Sequence, residues 1–465
     1  MKKKVIGIIF AIALVRASLW LGNDVVVSTN TYLAILIGIV PVIACVWIVL
    51  RSDTPDQTFL LRVFIAALAL RYCLAFVIYS RNLQAFLGGD SSTYDAFGYA
   101  LSQSWRGLVD PNAFWLVRYS APHTSGFGMF YFVAGVYYLI GQNPLAIQLM
   151  NCAFGAAACI AGYKVAMLVY PNERVARSVA MMTAFSPSLI LWTSQALKDG
   201  LIVLCICLCV LYTLKVRKKV EIKSFLLLLV CLGCLYTLRH YMSYIMFTAI
   251  AGALLFTTRK KFTPLRMLQG AVLVTIIGFG FSYFGAGETA KNTLNLSRIQ
   301  SSREWNAKVA NSGYGGDVDI TDARAAIGFL PKGILYVLLA PFPWMITNFR
   351  QLITLPELIA WWCLMPMMFK GYWFLIRNRL RQSFVVTTFV VGVILAFALY
   401  ESNAGTAYRH RAQLYVFFFI FMSTGMELRR SAKQNNAPRL HPVRAGRLAQ
   451  MPVGLTSNAA DLRTP

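Results

Sequence analysis

Residues 198–241 read "KDGLIVLCICLCVLYTLKVRKKVEIKSFLLLLVCLGCLYTLRHY". Two apolar runs, 198–214 and 224–239, flank the basic stretch "KVRKKVEIK" at 215–223. A helix needs roughly 20 apolar residues to cross a bilayer core, and connections rich in Lys and Arg stay on the cytoplasmic side. The segment therefore reads as two spans joined by a cytoplasmic turn. Its open ends, Lys198 and Asp199 at one and Arg239 and His240 at the other, emerge together on the opposite face.

The whole chain has the same character. It is 58% hydrophobic and 13% charged, with a mean hydropathy of +0.59, which is membrane-protein composition. The net charge of +26 (44 basic minus 18 acidic residues) sits mostly between apolar runs, where anionic headgroups attract it, so no nucleic-acid partner is expected. All ten cysteines fall inside apolar runs and read as small buried hydrophobes. The start, "MKKKVIGIIFAIALVRASLWLG", has an apolar run longer than a signal peptide's and no A-x-A site, and so reads as a first span.

Twelve runs have spanning character: 5–22, 32–50, 59–80, 144–168, 178–194, 198–214, 224–239, 241–258, 268–285, 356–376, 384–400 and 411–426. Two more, "GFGMFYFVAGVYYLIG" at 126–141 and "ILYVLLAPFPWMI" at 334–346, are ambiguous. Counting both would leave "KVRKK" outside, and counting only the second would put "RNRLRQ" (377–382) there. The expected fold is therefore an all-α polytopic protein of about 12 spans with two partial or re-entrant segments, the second broken by Pro341 and Pro343. The expected divisions are a membrane module 1–285 with an outer loop at 81–125, an outer lid loop 286–326, C-terminal spans 327–428 and a basic tail 429–465. Both termini are expected in the cytoplasm, and the tail, lacking periodicity, is expected to be disordered.

Six polar segments then share the outer face: 81–125, 194–199, 239–241, 286–326, 347–357 and 401–411. In "LGGDSSTYDAFGYALSQSW" (87–105) Ser92 and Asp95 fit a capping box, and Tyr94, Phe97, Leu101 and Trp105 give an amphipathic interfacial helix. The cap leaves Asp90 unexplained. It reads either as a turn residue or as a general base beside the bilayer. Lys198 and Asp199 stand where two helices enter the membrane, a costly place for charge unless dipole pairing or function keeps it there. "YTLRHYMSY" and "GTAYRHRAQ" put Arg239, His240, Arg409, His410 and Arg411 outside, against the positive-inside tendency, and Arg offers a planar fork of donors to phosphate. Asp317, Asp319 and Asp322 in "NSGYGGDVDITD" could hold a divalent cation but lack EF-hand spacing. Glu357 at a helix start is explained by dipole and cap preferences, with a modest functional share.

Taken in order, the turn aspartate, "SPSLILWTSQALKD", "LRHY", "SGYGGDVDI", "LLAPFPWMITNFRQLITLPE" and "GTAYRHRAQ" resemble a family. It comprises bacterial polytopic relatives of dolichyl-phosphate-mannose protein mannosyltransferases and lipid A aminoarabinose transferases, of the GT-C class. The resemblance spans roughly residues 80–430. It implies a polyprenyl-phosphate sugar donor, a hydroxyl acceptor, inverting transfer outside the cytoplasm of a bacterial inner membrane, and Asp90 as the loop acid. Many relatives carry two adjacent acids where Ser91 follows Asp90 here. On this reading Asp90 is the base, Arg409, His410, Arg411, Arg239 and His240 bind the donor phosphate, and Lys198, Asp199, Tyr94 and Glu357 line the cavity. No cofactor is required, though a divalent cation remains open. Two rivals stand beside it: an O-antigen-type polymerase or ligase relying on the Arg and His clusters, and a glycolipid transporter or flippase using ionisable residues near span centres, such as Arg16, Arg62 and Arg71.

Overall fold

The computed structural model describes residues 29–436, apart from 52–53, 55, 88–89, 122–123, 125, most of 256–294, 310–311 and 347–348. The expected spans at 5–22 and 268–285 and the end of the tail lie outside the described residues. Those described form helices and no strands, with one isolated bridge between Gly313 and Asn403. The principal helices are α1 (Thr29–Leu50), α2 (Gln57–Ser80), α3 (Asp90–Trp105), α4 (Phe127–Ile140), α5 (Pro144–Val169), α6 (Glu173–Phe185), α7 (Pro187–Thr193) and α8 (Asp199–Lys218). They continue as α9 (Ile222–Leu238), α10 (His240–Leu255), α11 (Leu296–Val309), α12 (Ala323–Leu339), α13 (Phe349–Tyr400), α14 (Ala404–Ala412) and α15 (Tyr415–Asn436).

Among the described residues, five helices are long and apolar enough to cross a membrane, or six if the bent pair α6–α7 is one span. Helices α4, α9 and α10 are apolar but shorter. Helix α13 is 52 residues long, about 78 Å if straight and more than twice a bilayer core. It breaks at Arg379 (φ −138°, ψ 30°). There Ser383 Oγ donates to the carbonyls of Arg379 (3.0 Å) and Leu375 (3.3 Å). The second lies eight residues back, about 12 Å away along an unbroken helix, so the chain bends sharply at the basic stretch that separates the two apolar runs. Helix α15 runs on to Asn436, so the first residues of the expected disordered tail are helical.

Helix α5 forms the centre and packs against α1, α2, α6 and α8. Its run of Ala and Gly lets neighbours approach closely, as small residues do at membrane helix interfaces. At Gly155 a Cβ would stand 2.5 Å from the side chain of Thr193, so only glycine admits α7 this near.

Two buried arginines finish helices that prolines cut short. Pro187 ends α6, leaving late carbonyls without intrahelical partners. Arg71, fully buried, donates to those of Ala184 (2.9 Å) and Thr183 (3.3 Å) and to Thr193 Oγ1 (2.9 Å). Pro341 and Pro343 likewise end α12. The carbonyl of Leu338 accepts from Arg411 Nη1 (2.7 Å) and Trp361 Nε1 (2.8 Å), and that of Leu339 from Trp362 Nε1 (3.1 Å). Arg71, a span-centre charge that suited a transporter, is thus engaged as a cap.

The segments expected on the outer face differ from the expected details in two places. Helix α3 begins at Asp90, so Asp95 stands in its second turn, out of reach of the first free amides. In place of the expected capping box, Asp95 accepts from Tyr137 Oη (2.5 Å) and Gln142 Nε2 (2.9 Å). These bonds fasten α3 to α4, and Tyr94 packs on Phe130 at 5.2 Å between centroids. Within 286–326, Asp319 accepts from the amide and hydroxyl of Thr321, and Asp322 caps α12 through the amides of Arg324 and Ala325. Among the described residues no group of three metal-ligating side chains occurs. The stretch is docked onto the residues before α14: Tyr314 N donates to the Ser402 carbonyl (2.7 Å) and Ala404 N to that of Ser312 (3.0 Å).

Candidate active site

Charged side chains from segments far apart in sequence meet around Arg409 of α14. Its Nη1 donates to Asp90 Oδ2 at 2.7 Å, its Nη2 to Asp199 Oδ2 at 2.7 Å, and its Nε to the same oxygen at 3.2 Å. Asp199 is the first residue of α8, and its other oxygen accepts from Gln413 Nε2 at 2.5 Å. The two carboxylates differ in environment. The Asp199 side chain is 3% exposed and that of Asp90 55%, with Arg409 at 14% between them. Burial works against the Arg409 charge, but Asp199 and Asp90 outweigh it and hold the guanidinium above its ordinary pKa. Its plane also lies 5.2 Å from the Trp192 ring centroid.

A second chain of contacts runs behind it. Arg239 Nη2 lies 2.9 Å from His410 Nε2, and His410 Nδ1 faces Glu401 Oε1. A guanidinium has no acceptor, so Nε2 accepts, and the imidazole proton sits on Nδ1 and is donated to Glu401. Burial, followed by the charge of Arg239, keeps the His410 pKa below its ordinary value, so the ring is neutral. Arg239 also donates through Nη1 to Tyr241 Oη, while its Nε has no partner.

Lys198 sits between these groups, 9% exposed. Among the described residues it makes no ion pair or hydrogen bond. Its ammonium lies 5.7 Å from the Tyr94 ring centroid, with Arg239, Asp199, Arg409 and Asp90 in electrostatic reach. Gly126 makes room for it. A Cβ there would lie 2.5 Å from Nζ, and the backbone has φ +88°, a conformation costly to residues with a side chain.

The chain therefore brings together Asp90, Lys198, Asp199, Arg239, Arg409, His410 and Tyr94. Arg411 faces the end of α12, with Trp361 and Tyr408 against its guanidinium. His240 packs between the rings of Tyr236 and Phe127. Glu357 accepts from Ser186 Oγ (2.9 Å), Ser188 N (3.0 Å) and Tyr408 Oη (2.5 Å), fixing the start of α7 against α14. Sequence reasoning passed over Gln413, Glu401 and Trp192, although all three stand inside the polar segments, or at their edges, that it marked. Their signal was a polar or aromatic residue within a few positions of a charged pair.

Residues 124–283 match the model of the dolichyl-phosphate-mannose-protein mannosyltransferase family. That match is to a family of GT-C glycosyltransferases, the class of membrane enzymes that the sequence motifs resemble. The matched segment holds Lys198, Asp199 and Arg239, while Asp90 and Arg409 lie outside it. No curated protein and no solved structure matches the chain.

Proposed function

We propose that the protein is an inverting glycosyltransferase that moves a sugar from a polyprenyl-phosphate donor to a hydroxyl acceptor on the extracytoplasmic face. The observation that carries this reading is the Asp90–Arg409–Asp199 arrangement at the polar ends of apolar helices. It consists of one half-exposed carboxylate and one buried carboxylate sharing a guanidinium. A carboxylate open to water at the edge of a bilayer can meet an acceptor arriving from the aqueous side, while the donor's lipid tail stays among the helices.

In the reaction, the acceptor oxygen attacks the anomeric carbon from the face opposite the phosphate. The new glycosidic bond forms as the bond from the anomeric carbon to the phosphate oxygen breaks. The acceptor proton passes to Asp90, and the electron pair leaves with polyprenyl phosphate. Negative charge grows on that phosphate, so preorganised cations are the main catalytic requirement after the base. Arg409, Arg239 and Lys198 together supply the positive field around it. Asp199 and Gln413 hold Arg409 in place, and Glu401 holds His410, which in turn orients Arg239. Twelve spans, cytoplasmic termini, a bacterial inner membrane and a part in cell-surface glycan assembly complete the proposal.

The meeting of Arg239 with His410 also suits an O-antigen-type polymerase or ligase, which would take a pyrophosphate-linked glycan. Membranes containing the protein, supplied with radiolabelled sugars on polyprenyl phosphate or polyprenyl pyrophosphate, separate the two readings. Transfer from the monophosphate donor with inverted anomeric configuration is the expected result. Transfer from the pyrophosphate alone would favour the polymerase or ligase, and transfer from neither would overturn both.

A further inference from the structure

Which cations receive the donor phosphate is not answered by counting arginines, because most of their donor groups are already committed. Arg409 spends Nη1, Nη2 and Nε on Asp90 and Asp199. Arg411 gives Nη1 to the carbonyls at the end of α12, and although its Nε and Nη2 have no partner, its guanidinium is enclosed by Trp361 and Tyr408 rather than by the groups around Asp90 and Asp199. His410, with Nε2 accepting and Nδ1 donating to Glu401, has nothing left to offer an anion.

Beside Asp90, Asp199 and Arg409, two cationic groups have unmet donors. Lys198 has three N–H donors and, among the described residues, no hydrogen bond or ion pair. Arg239 has a buried Nε–H without a partner. The point a Cβ would occupy at Gly126 lies 2.5 Å from Lys198 Nζ and 3.7 Å from the carbonyl of Leu238, the residue before Arg239, so the ammonium stands beside the start of the Arg239 segment. Two buried like charges, each with unmet donors, are costly in a protein at rest. The cost is relieved when an anion sits between them. Glycine at 126, in a conformation and at a distance that exclude any Cβ, leaves the Lys198 ammonium the space that a side chain would take.

We infer that Lys198 and Arg239 form the seat for the phosphate of the lipid-linked donor, with Arg409 serving as the clamp on Asp90 and Asp199 rather than as the phosphate ligand. This rests on the donor class proposed above. It assigns Lys198, expected from sequence only to line the cavity, as a substrate-binding residue.

The test is direct binding of farnesyl phosphate, a short polyprenyl monophosphate, to detergent-purified protein by titration calorimetry, with farnesol and inorganic phosphate as the separate halves of the ligand. The wild type is expected to bind farnesyl phosphate and not farnesol. Lys198→Met and Lys198→Gln are expected to weaken binding at least ten-fold. The same Lys198 variants should unfold at an equal or higher temperature than the wild type, because they remove a buried cation that has no hydrogen-bond partner among the described residues. A residue with a merely structural part would not combine weaker binding with undiminished stability. Unchanged binding in both Lys198 variants would overturn the seat and leave the donor class standing. Absence of farnesyl phosphate binding in the wild type would overturn the donor class as well.

Discussion

Asp90 and Asp199 share one arginine, and burial separates their parts. Asp199 lies in the protein with its two oxygens taken by Arg409 and Gln413. Removing one member of a buried pair strands the other, a cost of about 3–5 kcal/mol. Asp199→Ala should therefore lower stability by about 3 kcal/mol, read from unfolding in detergent. Asp90 is half exposed, and exposed pairs contribute about 0–1 kcal/mol, so Asp90→Asn should unfold almost as the wild type does. His410 gives a pH signature. Its folded pKa lies below the ordinary value of 6.5, so between the two values the unfolded chain binds more protons than the folded one. Stability should then fall as pH drops below about 6.5, and the slope should shrink in His410→Gln. Asp90, Lys198, Asp199 and Arg409 were legible in the sequence because ionisable groups beside apolar runs are rare. Arg411 was not distinguishable from Arg409, two residues away. What separates them is the direction each faces on α14, and that depends on a helix ending some 70 residues earlier.

At the scale of elements, proline breaks create orphan carbonyls, and buried arginines answer them. Arg71→Met would strand the carbonyls of Thr183 and Ala184. An unmet buried group costs about 1–3 kcal/mol, so the variant should lose at least that much, measured by thermal unfolding in detergent. The resulting looseness of α7 would reach Trp192 and, beyond it, Lys198 and Asp199. Pro341 and Pro343 were read as breaks, whereas Pro187 falls inside the expected span 178–194, which the structure divides into α6 and α7. Which side chain would satisfy each break was not legible, because Arg71 comes from a helix over a hundred residues upstream. The break at Arg379 was legible from charge alone, since "RNRLRQ" divides two apolar runs that a continuous helix could not hold within one bilayer. Asp95 misled because its spacing from Ser92 fits a capping box, yet α3 starts two residues earlier and frees the carboxylate to reach α4.

Across the whole molecule, the proposed orientation, drawn from the distribution of Lys and Arg, puts the site face outside. In a cysteine-free background, needed because Cys73 and Cys363 are exposed, single cysteines at Ser120 and Thr321 should react with an impermeant maleimide added outside intact cells. Labelling of both only after the cytoplasm is opened would reverse the orientation. All-helical character followed from composition, and the order of most apolar runs from hydropathy. The number of full crossings did not follow, since α4, α9 and α10 are apolar yet shorter than a comfortable span. What joins residue to molecule is the placement of Asp90, held by Arg409 at the water-facing edge of the helices. The most direct measurement is sugar transfer from a polyprenyl-phosphate donor by wild type and Asp90→Asn at matched protein levels, with farnesyl phosphate binding measured on the same preparations. General-base catalysis contributes about 10²–10⁴-fold, so transfer should fall by at least 100-fold while binding holds. Transfer that persists in Asp90→Asn, with binding unchanged, would contradict the account.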